Sequence, residues 1–226
     1  MNDTPVRPPF EPPSRSAVFP LPDAILFPNT ILPLFVFEPQ YRLMLEECLK
    51  GDGLMTVVLM RKGAPKSLLD APTYSTAGIG RVTTVMRLPD SCARVLVGGI
   101  ARVTIRRYIR RRPYPMAEIE PMQSAPADPA RAGALRIRLV SLFRALAGDG
   151  ARDFIERIEG LGDPEIAGDP IAAGLSVDPH LKQRILETAG VEERLERLER
   201  LLEGELRQAR LLRRILAGAP RNLRDN

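Results

Sequence analysis

The stretch FPLPDAILFPNTILPLFVFEPQYR, residues 19–42, is the most informative part of the sequence about the fold of the first half of the chain. It is rich in residues that favour β-strands, yet it contains five prolines, at positions 20, 22, 28, 33 and 39. Proline cannot donate a ladder hydrogen bond, so within sheets it is confined to edges, bulges and strand starts. We therefore predict strands over residues 17–21 and 30–37, with the prolines at edges, bulges and turns.

A helix is predicted to follow directly. Glu38 precedes Pro39, and proline suits the first position of a helix. Glu38 and Arg42 are four residues apart, a spacing that allows an ion pair across the first turn. One apolar helical face is formed by Tyr41, Met44, Leu45, Cys48 and Leu49. We interpret Phe37, Tyr41 and the Glu38–Arg42 pair as structural groups that fasten this helix to the sheet.

The rest of the chain separates into a strand-rich part and a helical part. Further strands are predicted over residues 54–60, 77–88, 92–105 and 116–122, with the turn 89–91 making a hairpin of the middle two. Helices are predicted over 130–147, 151–160, 164–175, 180–188 and 191–217. The predicted organisation is a disordered Pro-rich tail (1–15), a β subdomain (16–122), a linker (123–129), a helical subdomain (130–218) and a flexible tail (219–226).

Composition excludes several classes of protein. The chain has 226 residues, of which 44% are hydrophobic, and no run approaches the roughly 18 apolar residues of a membrane span. The N-terminus lacks a basic-then-apolar signal region, so a cytoplasmic location is expected. The chain has two cysteines, Cys48 on the apolar face of the predicted helix and Cys92 at the start of a predicted strand, and His180 is its only histidine. We therefore expect no disulfide, metal site, cofactor or Ser-His-Asp triad.

The stretch 19–42 also resembles the opening signature of the Lon N-terminal domain, also called the Lon substrate-binding domain. That signature reads roughly Pro-Leu-Pro, Leu-Phe-Pro, Pro-Leu and then Phe-Glu-Pro-Arg-Tyr; Gln40 here stands in place of its arginine. The segments 78–82, 98–102, 114–120, 181–187 and 191–198 resemble later family segments in the correct order. The resemblance covers residues 16–217.

The resemblance implies an α+β fold: a small PUA-like β barrel followed by a C-terminal helical bundle with one long final helix. It also implies a stand-alone substrate-binding region, because the sequence contains no ATPase or Ser-Lys peptidase motif. The nearest approach to a P-loop, GAPKS at 63–67, lacks the glycine that should precede the lysine. We therefore expect no enzymatic activity.

The charge distribution is uneven. Residues 1–122 carry sixteen basic and eleven acidic side chains, while the remainder carries seventeen of each. The excess lies in ARVTIRRYIRRRPYP, residues 101–115, where Arg106, Arg107, Arg110, Arg111 and Arg112 are interleaved with tyrosines. A basic patch with aromatic residues on a PUA-like barrel suits RNA. The favoured alternative is a solvated strand end whose arginines pair with acids of the helical half.

The long helix 191–217 has an apolar stripe that fits either packing on the shorter helices, which we favour, or a coiled-coil dimer. Our functional hypothesis is a non-catalytic, cytoplasmic module that binds unfolded or specific polypeptide clients without a cofactor. Its binding site is expected to be a groove between the two subdomains, or an exposed sheet edge that accepts a strand. RNA binding through residues 106–112 is the alternative.

Overall fold

The structure is a computed structural model. It describes residues 10–63, 70–161 and 163–218, and at residues 149 and 216–218 it describes the backbone alone. Contacts divide the chain into two compact units. Unit 1 comprises Met1–Gln123 and Ser176–Glu187, and unit 2 comprises Ser124–Leu175 and Thr188–Asn226. The GAPKS segment lies largely outside the described residues, as do most of the predicted N-terminal tail and all of the C-terminal tail.

Unit 1 contains a mixed six-stranded sheet and two helices. Its strands are β1 (Arg15–Leu21), β2 (Ile31–Val36), β3 (Leu54–Leu59), β4 (Thr76–Arg87), β5 (Ala93–Arg110) and β6 (Met116–Pro121). Its helices are α1 (Pro39–Lys50) and α5 (Pro179–Glu187). Every predicted strand is present, and the largest difference is at β5, which continues five residues beyond the predicted end.

The sheet has the strand order β2-β5-β4-β3-β1-β6, and β5 pairs with β6 as well. The first part of β5 pairs with β2 and β4, and its last part, from Val103 to Arg110, pairs with β6. Pairing therefore runs from β5 through β4, β3, β1 and β6 back to β5. Strand β2 lies outside this ring and pairs with β5 among the described strands.

The prolines of the opening stretch occupy positions that need no ladder donor. Pro20 lies in the part of β1 that pairs with β3. Strand β6 pairs with β1 only at Arg15 to Ala17, so no ladder with β6 needs a donor at Pro20. Pro33 lies in the edge strand β2. Pro39 is in the first turn of α1, as predicted. The predicted placement is confirmed for Pro33 at an edge and for Pro39 at a helix start, whereas Pro20 lies inside β1.

Two glycines allow the chain to cross the sheet between β1 and β2. A Cβ atom added at Gly78 would lie 2.0 Å from the Leu26 carbonyl oxygen, and one at Gly99 would lie 2.0 Å from the Phe27 carbonyl oxygen. Leu26 and Phe27 are themselves fully buried. The crossing therefore depends on the absence of side chains at these two positions of β4 and β5.

Apolar side chains form two clusters in unit 1. One joins α1 to the sheet and includes Phe19, Tyr41 and Val95; the other includes Val18, Ile79 and Ile119. Phe10, in the predicted tail, is partly buried against the second cluster. Consecutive residues of β1 thus point into different clusters, as expected for a strand buried on both faces.

Helix α5 belongs to unit 1, whereas the sequence placed it in the helical subdomain. Gln183 is fully buried and its side-chain amide donates to the Thr76 carbonyl of β4 at 3.0 Å. The Arg102 guanidinium, also buried, donates to the Leu186 carbonyl at 3.1 Å. These long-range hydrogen bonds have no signature in local sequence.

Unit 2 consists of α2 (Pro129–Ala147), α3 (Arg152–Glu159), α4 (Pro164–Gly174) and α6 (Val191–Gly218), each close to its prediction. The apolar stripe of α6 is buried at Leu195, Leu198, Leu202 and Leu206, in the part of α6 that packs with α2 and α4. Packing within the unit therefore accounts for the first half of the stripe, whereas Leu211, Leu212 and Ile215 of the second half are each more than half exposed. No described helix is both long and apolar enough to span a membrane.

Candidate functional site

The solvent-facing side of β2 is apolar along its whole length. Ile31 is 65% exposed and Phe35 is 52% exposed, with Pro33 exposed between them. Phe37, which directly follows the strand, is 55% exposed. The alternate residues Leu34 and Val36 are buried. A strand with one buried and one solvated face normally alternates apolar with polar residues, so this outward row is unusual.

Neighbouring strands extend this apolar surface. Arg94 of β5 lies opposite Phe35 on one side and opposite Met86 of β4 on the other. One step along, Leu96 of β5 lies between Pro33 and Thr84 in the same way. Met86 is 57% exposed. Three adjacent strands therefore present a continuous row of side chains to solvent.

An open cleft lies on this surface, and we call it the outer cleft. It has a volume of about 400 Å³. Its lining comprises Pro33, Leu34, Phe35, Thr84, Met86, Arg94, Val95 and Leu96. The lining carries the positive charge of Arg94 and no carboxylate.

Aromatic stacking orders one rim of the outer cleft. The rings of Phe35 and Phe37 lie with centroids 5.5 Å apart and an interplanar angle of 25°. Such a pair contributes about 0.5–1.5 kcal/mol beyond area burial. The two rings form a preorganised apolar surface, which loses less conformational entropy on binding than two independent side chains would.

The free edge of β2 is interrupted. The Gly99 N–H donates to the Thr30 carbonyl at 2.8 Å, which makes Ile31 and Gly98 the next, non-hydrogen-bonded pair of the antiparallel ladder. By the same alternation Pro33 and Phe35 direct their backbone groups away from β5. Pro33 has no N–H, so the middle of the free edge lacks a donor and is a poor template for continuous strand addition.

The predicted family motif divides between core and surface. Tyr41 is buried and lies against Phe19, with ring centroids 4.5 Å apart. Phe37, in contrast, is exposed, so the expectation that it fastens α1 to the sheet is wrong. The motif therefore contains one core aromatic and one surface aromatic.

The predicted ion pair of this motif is also replaced. The Arg42 side chain donates to the Asp90 carbonyl at 2.8 Å, and the Glu38 carboxylate accepts from the Gln40 side-chain amide at 2.5 Å. Glu38 and Arg42 remain linked through the backbone, where the Arg42 N–H donates to the Glu38 carbonyl at 3.0 Å. Arg42 thus ties α1 to the turn between β4 and β5.

The arginines of the basic run are engaged within unit 1. Arg106 pairs with Glu120, and Arg107 donates to Glu118 at 2.7 Å. Arg112 pairs with Asp70 at 3.1 Å. Glu118 and Glu120 are on β6 and Asp70 lies between β3 and β4, whereas the sequence suggested acids of the helical half.

The other two arginines of the run lie over aromatic rings. Arg110 lies 4.8 Å from the ring centroid of Tyr114, and Arg111 lies 4.1 Å from that of Tyr108. Cation–π contacts of this kind hold a guanidinium against the protein. The run is therefore paired with acids and rings, and the RNA hypothesis gains no support from it.

Several titratable groups of unit 1 are buried or half-buried. Burial, reinforced by a hydrogen bond to Glu47, raises the pKa of Tyr114 to about 12. Burial also raises the pKa of Cys48 to about 11, and both cysteines are free thiols. The Tyr74 hydroxyl and His180 Nδ1 are 3.0 Å apart. The described residues contain no cluster of three or more His, Cys, Asp or Glu side chains that could hold a metal ion.

Unit 2 has a cavity of its own, of about 550 Å³. Its charged lining groups have structural partners: Asp163 caps α4, Arg136 donates to the Leu161 carbonyl at 3.2 Å, and Glu165 pairs with the buried Arg194 at 2.6 Å. These contacts make the cavity a part of the packing of the helices. The outer cleft is therefore the stronger candidate for a binding site.

Comparison with known proteins identifies the class. Residues 16–204 match the family described as the ATP-dependent protease La (LON) substrate-binding domain, so the chain belongs to that family. Two solved structures share the fold. The N-terminal domain of a Mycobacterium avium complex Lon protease has a TM-score of 0.66 at 19% identity over 85% of this chain and 97% of that one. A Lon N-terminal domain protein from Xanthomonas campestris has a TM-score of 0.59 at 21% identity over 81% and 96%.

Curated relatives include the Lon proteases of Azospirillum brasilense, 29% identical over 89% of this chain, and of Xanthomonas oryzae pv. oryzae, 27% identical over 88%. This chain spans about a quarter of their length, 26% and 24% respectively. The similarity is thus to a part of those proteases.

The outer cleft was not predicted from sequence. In β2, residues 31–36 are apolar on both faces, a pattern typical of a fully buried strand. The position of β2 at the end of the strand order is what exposes one of those faces. The sequence signal that could have located the cleft is Pro33, because a proline inside a strand-like run indicates an edge.

Proposed function

We propose that this protein is a binding module for polypeptide segments that expose apolar side chains, and that the outer cleft is where it holds them. The observation that carries the proposal is the outward apolar row of β2 and of Phe37, which follows it: Ile31, Phe35 and Phe37 are each more than half exposed. Membership of the Lon substrate-binding family supports the same class of ligand.

The mode of recognition follows from the two sides of β2. The free edge lacks a donor at Pro33, whereas the face offers a cleft of about 400 Å³ with aromatic and aliphatic walls. We therefore propose that side chains of the client enter the cleft and that main-chain pairing contributes less. An unfolded client must be ordered on binding, at a cost of about 2–5 kcal/mol, so modest affinity is expected.

We further propose that the module works without catalysis and in the cytoplasm. The matched region corresponds to the substrate-binding part of the family, which supports binding in place of hydrolysis. The ring of pairings among β5, β4, β3, β1 and β6 supports the predicted kinship with PUA-like barrels, which stays a proposal.

The test compares two serine variants. Phe35→Ser removes an apolar side chain from the outer cleft, and Ile137→Ser removes one that is 62% exposed on α2 of unit 2. Affinity for a permanently unfolded, reduced and alkylated protein is measured by fluorescence anisotropy, with the native form of the same protein as a second ligand. An aromatic anchor typically contributes more than about 1 kcal/mol, so Phe35→Ser should weaken binding at least about fivefold.

We expect preference for the unfolded form, unchanged binding by Ile137→Ser, no effect of ATP and no cleavage of the ligand. Melting curves of both variants confirm that they are folded. Equal losses in the two variants would show that exposed apolar groups bind non-specifically. Wild-type protein that ignores unfolded and native forms of several ligands would contradict the proposal.

A further inference from the structure

The outer cleft contains a charged side chain that has no part in the proposed binding of apolar side chains. Arg94 projects from β5 between Phe35 and Met86, and its side chain is exposed. Within the described residues it makes no ion pair. It is also the charged member of a lining whose other seven residues are uncharged.

The surroundings of Arg94 add positive charge. Arg81 of β4 is exposed and pairs with Gly98 of β5, which pairs with Ile31 of β2 on its other side. The next residue after Met86, Arg87, is held by Glu46 of α1 at 2.6 Å. The charge that faces a ligand in the cleft is therefore positive, with apolar groups on both sides of it.

We propose that the cleft selects apolar segments that carry a carboxylate next to an aromatic or aliphatic residue, with Arg94 as the residue that determines this specificity. The inference rests on the function proposed above and adds the sign of the client's charge. An arginine beside an apolar wall can form a bidentate contact with a carboxylate while its stem packs against the client's side chains. A lysine at the same place in the client would meet Arg94 with a like charge.

The size of the preference follows from exposure. Ion pairs at the surface contribute about 0.2–1 kcal/mol, which corresponds to about 1.4- to fivefold in affinity. The preference should weaken at high salt, because exposed charges are screened. An apolar contact at the same site has no such salt dependence.

The experiment uses two peptides with the same aromatic residues, one with glutamates and one with lysines at the same flanking positions. Dissociation constants are measured at low and high salt for the full chain and for two charge-reversal variants. Arg94→Glu reverses the charge in the cleft. Arg152→Glu makes the same change in net charge at an exposed position of α3, in unit 2.

The expected result is a preference of about 1.4- to fivefold of the wild type and of Arg152→Glu for the glutamate peptide, and a reversed preference in Arg94→Glu. A preference that persists in Arg94→Glu would assign it to the net charge of the chain and overturn the inference. Equal binding of both peptides by the wild type would overturn it too, while leaving the apolar site intact. Failure of both peptides to bind would instead contradict the proposed function.

Discussion

Substituting alanine for Gly99 tests the crossing that directs the chain into β2 and so places the outer cleft. The added Cβ would lie 2.0 Å from the Phe27 carbonyl oxygen and 3.2 Å from the Leu26 side chain. Ordinary contacts begin near 3.4 Å, so the backbone of the crossing must move by more than 1 Å. Leu26 and Phe27 are fully buried and would lose part of their packing.

The expected cost of Gly99→Ala is about 3–5 kcal/mol. Overpacking of a core by one group typically costs about 1–3 kcal/mol, and displacement of two buried side chains adds to it. At about 2–4 °C per kcal/mol for a chain of this size, the melting temperature should fall by roughly 6–20 °C. Differential scanning calorimetry measures this change, with a transition followed for each unit.

Gly133→Ala provides the matched control. Gly133 lies inside α2, and nothing lies within 4 Å of a Cβ added there. Because alanine favours a helix over glycine, this change should stabilise the protein by about 0.5–1 kcal/mol. If Gly99→Ala melted within a degree or two of the wild type, the close crossing of Phe27 over β5 would be refuted.

Three further outcomes are expected. Tyr41→Ala should cost about 3–5 kcal/mol in denaturant unfolding, as for other buried aromatics, whereas Phe37→Ala should cost less than about 1 kcal/mol; similar losses would contradict their different burial. Stability should decline between pH 10 and pH 12. The pKa of Tyr114 is raised from its ordinary value of 10.0 to about 12 in the folded protein, so the stability that depends on the neutral phenol is complete below pH 10 and is lost as the pH approaches 12. Tyr114→Phe should flatten this decline, and an unchanged decline in the variant would contradict the role of Tyr114. The logarithm of the affinity for single-stranded RNA, plotted against the logarithm of the salt concentration, should have a slope shallower than the value of about −3.5 for five phosphate contacts, because the arginines of residues 106–112 are already paired. Submicromolar affinity at physiological salt would contradict this expectation.

Local pattern was sufficient to predict the secondary structure. Strand propensity, the turn at 89–91 and the helix start at Pro39 each act over a few residues, and each predicted element is present. The main error in length was at β5, where the arginines were interpreted as a solvated end. Glu118 and Glu120 of β6 lie beside them in the ladder and pair with Arg107 and Arg106.

Long-range topology decided what the sequence left open. Residues of α5 show only an amphipathic pattern, and the hydrogen bond from Gln183 to Thr76 is what joins this helix to the sheet. Phe37 was interpreted as a structural group that fastens α1 to the sheet. It is exposed because β2 lies at an edge, outside the ring of paired strands, and the same fact produces the outer cleft.

The most direct test of the outer cleft as the polypeptide site is a chemical-shift map. Isotope-labelled protein is titrated with a peptide that carries aromatic residues and glutamates, and backbone amide shifts are followed. We expect the largest changes at residues 31–37, 84–86 and 94–96, with little change in α2 or α6. Changes concentrated in the helices of unit 2, or in the arginine run 106–112, would contradict it.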